Sequence, residues 1–189
     1  MRHAKQYMDE RKDKLPDIAF SLFCKHGIEP VSMQQIADAA DVGVATLYRC
    51  YGTKLKLVIA VSADKWARFA DECKNRYYAQ NGPMFNAYEE MQFYMNCYIA
   101  LYQEHRDLLL FYNNFNVYII QQQASPQDMK PYYDVVIPYR QRFHTCFSKA
   151  FTDHSIRTDI PEDNIYFGIM HSMLSAATKY AQCMLDPNN

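Results

Sequence analysis

Ser32 and Gln35 stand three residues apart at the head of the run MQQIADAADVGVATLYRC, Met33 to Cys50. The serine hydroxyl can accept from the Gln35 backbone N–H while the Gln35 side chain reaches back to the serine N–H, a reciprocal cap that starts a helix. Val31 and Ile36 flank that start as a hydrophobic staple. Behind it, Ile36, Ala40, Val42, Leu47 and Cys50 are apolar, and Ala37 is small enough for two helices to cross beside it. A helix, a tight turn at Asp41–Gly43 and a second helix would gather these residues into a small core. This is helix-turn-helix spacing, in which the second helix enters the DNA major groove by its N-terminal residues. An ordinary helical hairpin fits the same spacing.

Other chemistry finds no foothold. The six histidines include no HExxH and no pair at helical i, i+4 spacing. Cys24, Cys50, Cys73, Cys97, Cys146 and Cys183 form no CxxC pair and no zinc-finger spacing. There is no GxSxG and no cysteine in a recognisable catalytic setting. No enzyme, metal site or cofactor is expected. The cysteines are expected to be reduced thiols, most of them buried small hydrophobes.

The elements that must position the motif are helical. The chain has 189 residues, 49% hydrophobic, with only five glycines. Apolar spacings of 3 and 4 dominate, so the fold class is all-α. Breaks fall at Gly27–Pro30, Asp41–Gly43, Gly52–Thr53, Asn81–Pro83, Ser125–Pro126 and Asp159–Pro161. The first core helix is expected from Asp13 to Gly27, with Leu15, Ile18, Ala19, Leu22, Phe23 and His26 on one stripe and Pro16 in its first turn. Residues 1–12 are then an arm. Net charge is −1; residues 1–56 carry nine Lys/Arg against seven Asp/Glu, and the remainder eleven against fourteen. That asymmetry has the sign of a DNA-binding N-terminal end but is weak. No apolar run reaches the roughly 20 residues of a membrane span, and the charged N-terminus lacks a signal peptide's apolar stretch. A cytoplasmic protein is expected.

The stretch from Leu15 to Val61 resembles the DNA-binding domain of the TetR family of transcriptional regulators. Leu22, Phe23 and Gly27 match the end of the family's first helix. Ser32, Ile36, Ala37, Ala40 and Val42 follow, then Thr46, Leu47, Tyr48, Tyr51 and Lys54. The resemblance is specific over about residues 13–60 and architectural beyond. It implies a three-helix DNA-binding domain at residues 1–53 and a helical ligand-binding and dimerisation bundle at 54–189.

By that resemblance, Ser32, Tyr48, Tyr51 and Lys54 would hold phosphates and set register without choosing sequence. Base choice would fall to Val44, Ala45 and Thr46, with Gln34, Gln35 and Arg49 as further candidates; for Arg49 a phosphate-contacting or solvated role ranks above base contact. Three positions depart from the family pattern. Asp41 replaces a turn glycine, Gly43 a capping Ser or Thr, and Val44 a frequent Lys.

The resemblance also implies a dimer that reads a palindromic operator and is released, as repressors of this family are, by a small effector. Residues 77–189 hold 13 of the 16 tyrosines and 8 of the 11 phenylalanines, which suits an aromatic or amphipathic ligand. The expected pocket draws on Trp66, Phe69, Met91, Gln92, Met95 and Asn96, and on Phe111, Asn114, Phe115, Tyr118, Phe143 and His171. Gly168, Ser172, Ser175, Ala176 and Lys179 place small residues along one face of the last helix, the expected dimer interface with the helix before it. The rival reading is a regulator of the same fold governed by a protein partner or by oxidation of Cys97 or Cys146.

Overall fold

Caps and apolar stripes set most of the helix boundaries in the computed structural model, which describes residues 13–183 and holds no strand among them. The expected arm at residues 1–12 lies outside the described residues. Helix α1, Leu15–His26, buries Leu15, Ala19 and Phe23, with Pro16 in its first turn. Gly27 closes it at φ 81°, its N–H donating to the Phe23 carbonyl at 2.9 Å. His26 is exposed rather than on the buried stripe, because the last residue of the helix has already turned past it.

Helices α2, Met33–Ala39, and α3, Val44–Tyr51, flank the expected turn. Asp41 occupies the left-handed region at φ 51°, which its short polar side chain tolerates. Ile36, Ala37 and Leu47 are fully buried between the helices, but Cys50 is exposed and takes no part in that core.

Helix α4, Lys54–Ala79, runs from the motif into the rest of the chain. Leu57, Val61, Trp66, Phe69 and Cys73 lie on its buried side. Beyond it, Asn81 is left-handed at φ 60°, and Gly82 is required: a Cβ there would lie 2.4 Å from the Tyr77 ring. Helix α5, Ala87–Glu104, starts with a capping box between Asn86 and Glu89. Its next two N–H groups are also satisfied, Ala87 by Asp153 Oδ2 at 2.7 Å and Tyr88 by Ser155 Oγ at 2.9 Å. Helix α6 spans Arg106–Gln121, α7 Lys130–Asp153, α8 Glu162–Tyr166 and α9 Ser172–Ala181. Pro138 sits inside α7, and a π-helical turn, Phe167–His171, joins α8 to α9.

The chain divides into two compact units, one of residues up to Lys65 with Phe111–Tyr133, the other of Trp66–Leu110 with the residues from Asp134 on. The unit holding the helix-turn-helix is thus larger than a boundary at residue 53 suggests. In it, the Phe111 ring meets Phe20 at 5.3 Å and Phe23 at 6.2 Å, and Phe115 meets Tyr132 at 5.1 Å. In the other unit, Met91, Phe143, Cys146, Phe147 and Met170 form a buried cluster with Tyr94, Met95, Tyr98 and Tyr166 around it. No described helix is long and apolar enough to cross a membrane.

Candidate nucleic-acid interface

Ser32 caps α2 in both directions. Its Oγ accepts the Gln35 N–H at 3.2 Å, and its own N–H donates to Gln35 Oε1 at 2.7 Å. The cap therefore occupies the Gln35 carbonyl oxygen and leaves its amide NH2 outward. Gln34 is exposed and donates to Asp38 Oδ1 at 2.7 Å, one turn along. Both glutamines stand on the solvent side of α2, as Met33, Ile36 and Ala37 take the buried side.

The start of α3 has no side-chain cap: Gly43 is its N-cap, extended at φ −68°, and only its carbonyl serves, accepting from Thr46 N–H at 2.8 Å. With Leu47 buried beneath, the helix turns Ala45, Tyr48 and Arg49 to solvent, while Val44 and Thr46 are half-buried at its shoulders. Tyr48 is 52% exposed, a high value for an aromatic ring that has no core position. Tyr51 is half-buried, and burial pushes its phenol pKa up, with Cys50 and Asp64 adding to the effect. Its hydroxyl thus stays protonated and able to donate.

Lys54 has partners within the chain. Its Nζ donates to the Glu29 carbonyl at 2.8 Å and lies 5.4 Å from the centre of the Tyr118 ring. Burial lowers its pKa, partly offset by Glu29. The side chain fastens the start of α4 to the loop after α1, using one of the three ammonium donors. Thr53 beside it caps α4 through Lys56 N–H at 3.2 Å.

The expected pocket residues are divided between the two units. Phe111, Asn114, Phe115 and Tyr118 belong to the first unit; Trp66, Phe69, Met91, Gln92, Met95, Asn96, Phe143 and His171 belong to the second. Gln92, Asn96, Asn114 and His171 are exposed. The three amides share their helices with apolar pocket candidates but face solvent. His171 instead packs its ring edge-on to exposed Phe167 at 5.0 Å. Trp66, Phe69, Met91 and Phe143 are buried, with Trp66 and Phe69 in edge contact at 6.0 Å. On α9 and the turn before it, Gly168, Ser172, Ser175 and Lys179 are exposed and Ala176 is half-buried, so the small-residue stripe is uncovered in one chain.

Sequence reading missed one polar group. Glu72, Glu104 and His105 bring three ligand-type atoms within 4.8 Å of one another. His105 Nε2 lies 2.7 Å from Glu72, and Arg76 grips both oxygens of Glu104, one at 3.1 Å. The guanidinium holds the Glu104 carboxyl below its usual range. Arg76, Glu104, His105 and Glu72 thus form a chain of ion pairs and hydrogen bonds between α4 and α5. Nothing in the sequence spacing announces it, since Glu72 and Glu104 lie on different helices.

Only two of the six cysteines, Cys73 and Cys146, are buried, and none of the six is in a disulfide. The expectation that most would be buried is therefore too broad. Cys146 donates to the Ala87 carbonyl at 3.3 Å, and burial pushes its thiol up to about 12, which makes it a poor nucleophile.

Residues 17–61 match the family described as bacterial regulatory proteins, tetR family. The HTH-type transcriptional repressor KstR of Rhodococcus jostii is 36% identical over 66 residues, 35% of this chain. That match spans only 31% of the repressor's own length. The fatty acid degradation regulator FadR of Bacillus halodurans shares the fold at a TM-score of 0.67 and 17% identity, over 90% of this chain and 87% of that one. The transcriptional regulator FadR of Bacillus subtilis, solved in complex with stearoyl-CoA, matches at 0.65 and 15% identity, over 94% and 90%.

Proposed function

For a chain whose residues 17–61 match the tetR family of bacterial regulatory proteins, we propose the whole activity to be operator binding as a dimer, relieved by a small aromatic or amphipathic effector. One observation carries the DNA half: on a capped helix-turn-helix, α3 turns Ala45, Tyr48 and Arg49 to solvent above a fully buried Leu47. Such a face has no core role. Ala45, with Val44 at its edge, suits a thymine methyl; Thr46 offers a hydroxyl to a base edge. Tyr48, Tyr51, Ser32 and Arg49 are donors for phosphate oxygens. Gly43 leaves room for the backbone to approach DNA, and Gln34 and Gln35 offer amide groups beside it.

The effector half rests on the buried Trp66, Phe69, Met91 and Phe143, with Met95 alongside, and on the stearoyl-CoA bound to the Bacillus subtilis regulator of the same fold. An effector relieves repression only by binding a conformation that the operator does not select. The uncovered stripe Gly168, Ser172, Ser175, Ala176 and Lys179, with Phe167 and Tyr180 exposed near it, supports a two-fold dimer through α7 and α9.

The test is fluorescence anisotropy against a pool of selected palindromic duplexes at about 50 and 200 mM salt. Saturable, salt-sensitive binding to one sequence, weakened by Arg49→Ala and Tyr48→Phe, is the expected outcome. Binding that stays weak and indifferent to sequence after selection would overturn the reading.

A further inference from the structure

Two neighbouring glutamines on α2 carry their amides in opposite senses. Gln35 accepts the Ser32 N–H on its Oε1 at 2.7 Å, so the NH2 end takes no part in the cap. Gln34 donates from Nε2 to Asp38 Oδ1 at 2.7 Å. A carboxylate accepts and does not donate, so Asp38 fixes which end of the Gln34 amide turns to it. One amide hydrogen is spent there, leaving the carbonyl oxygen and a single N–H for an outside partner. All three side chains are exposed, whereas Met33, Ile36 and Ala37 of the same helix are buried. The Gln34–Asp38 bond thus serves no core contact, and pairs at this spacing add little to a helix.

Resting on the operator-binding reading above, we propose that Asp38 is a positioning residue that holds Gln34 to read an adenine in the major groove of the operator. Phosphate is the poorer partner for Gln34. An anion brought to that amide would also meet the Asp38 carboxylate, and like charges at such range repel. A base edge is neutral and carries no such penalty.

Adenine presents an amine donor at N6 beside an acceptor at N7, and a glutamine meets the two with its carbonyl oxygen and one N–H. Those are the groups that Asp38 leaves on Gln34. Guanine presents two acceptors, O6 and N7, in the same place. Its O6 would face the Gln34 carbonyl or the Asp38 carboxylate, oxygen against oxygen. An asparagine in place of Asp38 would remove the fixed sense, because its amide can accept or donate.

The test takes the duplex that the full-length protein selects and changes each base pair in turn, reading affinity by anisotropy for the wild type, Gln34→Ala and Asp38→Asn. One A·T pair is expected at which replacement by G·C costs the wild type about tenfold and Gln34→Ala nothing. Putting 7-deazaadenine there, which lacks the N7 acceptor, should weaken the wild type and leave Gln34→Ala unchanged. Asp38→Asn should flatten the preference at that pair alone, which a merely structural bond would not do. Gln34→Glu, which keeps the reach but not the N–H, replaces Gln34→Ala if a thermal melt shows that variant unfolded. An operator with no pair that depends on Gln34, or with G·C at that pair, overturns the inference and leaves operator binding standing. A Gln34 preference that survives Asp38→Asn does the same. Selection of no sequence at all overturns operator binding, and the inference with it.

Discussion

Lys54 Nζ donates to the Glu29 carbonyl at 2.8 Å, tying the first turn of α4 to the loop that precedes α2. Lys54→Ala should therefore cost stability as well as any affinity for DNA. Loss of a charged hydrogen bond predicts about 1–2 kcal/mol, reduced because the group is partly solvated. Urea denaturation reads the stability term directly. An unchanged midpoint would mean that the ammonium contributes only to ligand contact.

Gly43 leaves α3 without a side-chain cap, and a Cβ there meets nothing within 4 Å. Gly43→Ser should stabilise the domain by about 0.3 kcal/mol, since serine exceeds glycine as an N-cap by a few tenths. Thermal melting of the paired proteins checks the sign. A lower melting temperature for the serine variant would show that the backbone cannot bring the hydroxyl onto the Thr46 N–H.

Gly82→Ala forces a methyl against the Tyr77 ring, which itself sits edge-on to Phe85 at 5.7 Å and Phe93 at 5.4 Å. The tyrosine cannot withdraw without unpacking both. A loss of about 1–3 kcal/mol is expected from overpacking of this kind. Adding Tyr77→Leu should recover part of it, so a double-mutant cycle showing no coupling would place the cost elsewhere.

Asp153 accepts from the Ala87 N–H at 2.7 Å and from the Ser155 N–H at 2.9 Å, and these backbone bonds lower its pKa. A carboxyl whose folded pKa is depressed contributes stability above its unfolded value, 3.8, and loses it as pH falls through the folded value. Asp153→Asn should thus be less stable than the parent at neutral pH, and the two denaturation curves should converge at acid pH. A difference that persists unchanged into acid would assign the effect to shape rather than charge.

Much of the candidate interface was legible because its signals are local. The Ser32–Gln35 cap spans three residues and needs no other part of the chain. Gly27 at φ 81° and Gly52 at φ 75° end their helices by backbone freedom, and Asp41 turns by the same route. The face of α3 follows from Leu47 alone, because one buried leucine on an eight-residue helix decides which side looks out.

Away from the motif, helical periodicity divides each helix into two sides without naming what either side meets. Gln92, Asn96 and Asn114 share helices with Met91 and Phe115 yet face solvent, and only packing could say so. The same holds for Lys54, whose acceptor Glu29 lies 25 positions away. The break between α5 and α6 has no glycine or proline. It falls at His105, whose ring pairs with Glu72 from α4. By itself, then, the sequence determined the caps and the turns, since these depend on neighbours within a few residues. Tertiary structure alone decided the meeting of Phe111 with Phe20 and Phe23. Those contacts join distant segments, and their partners are set by how whole helices fill space rather than by any local preference.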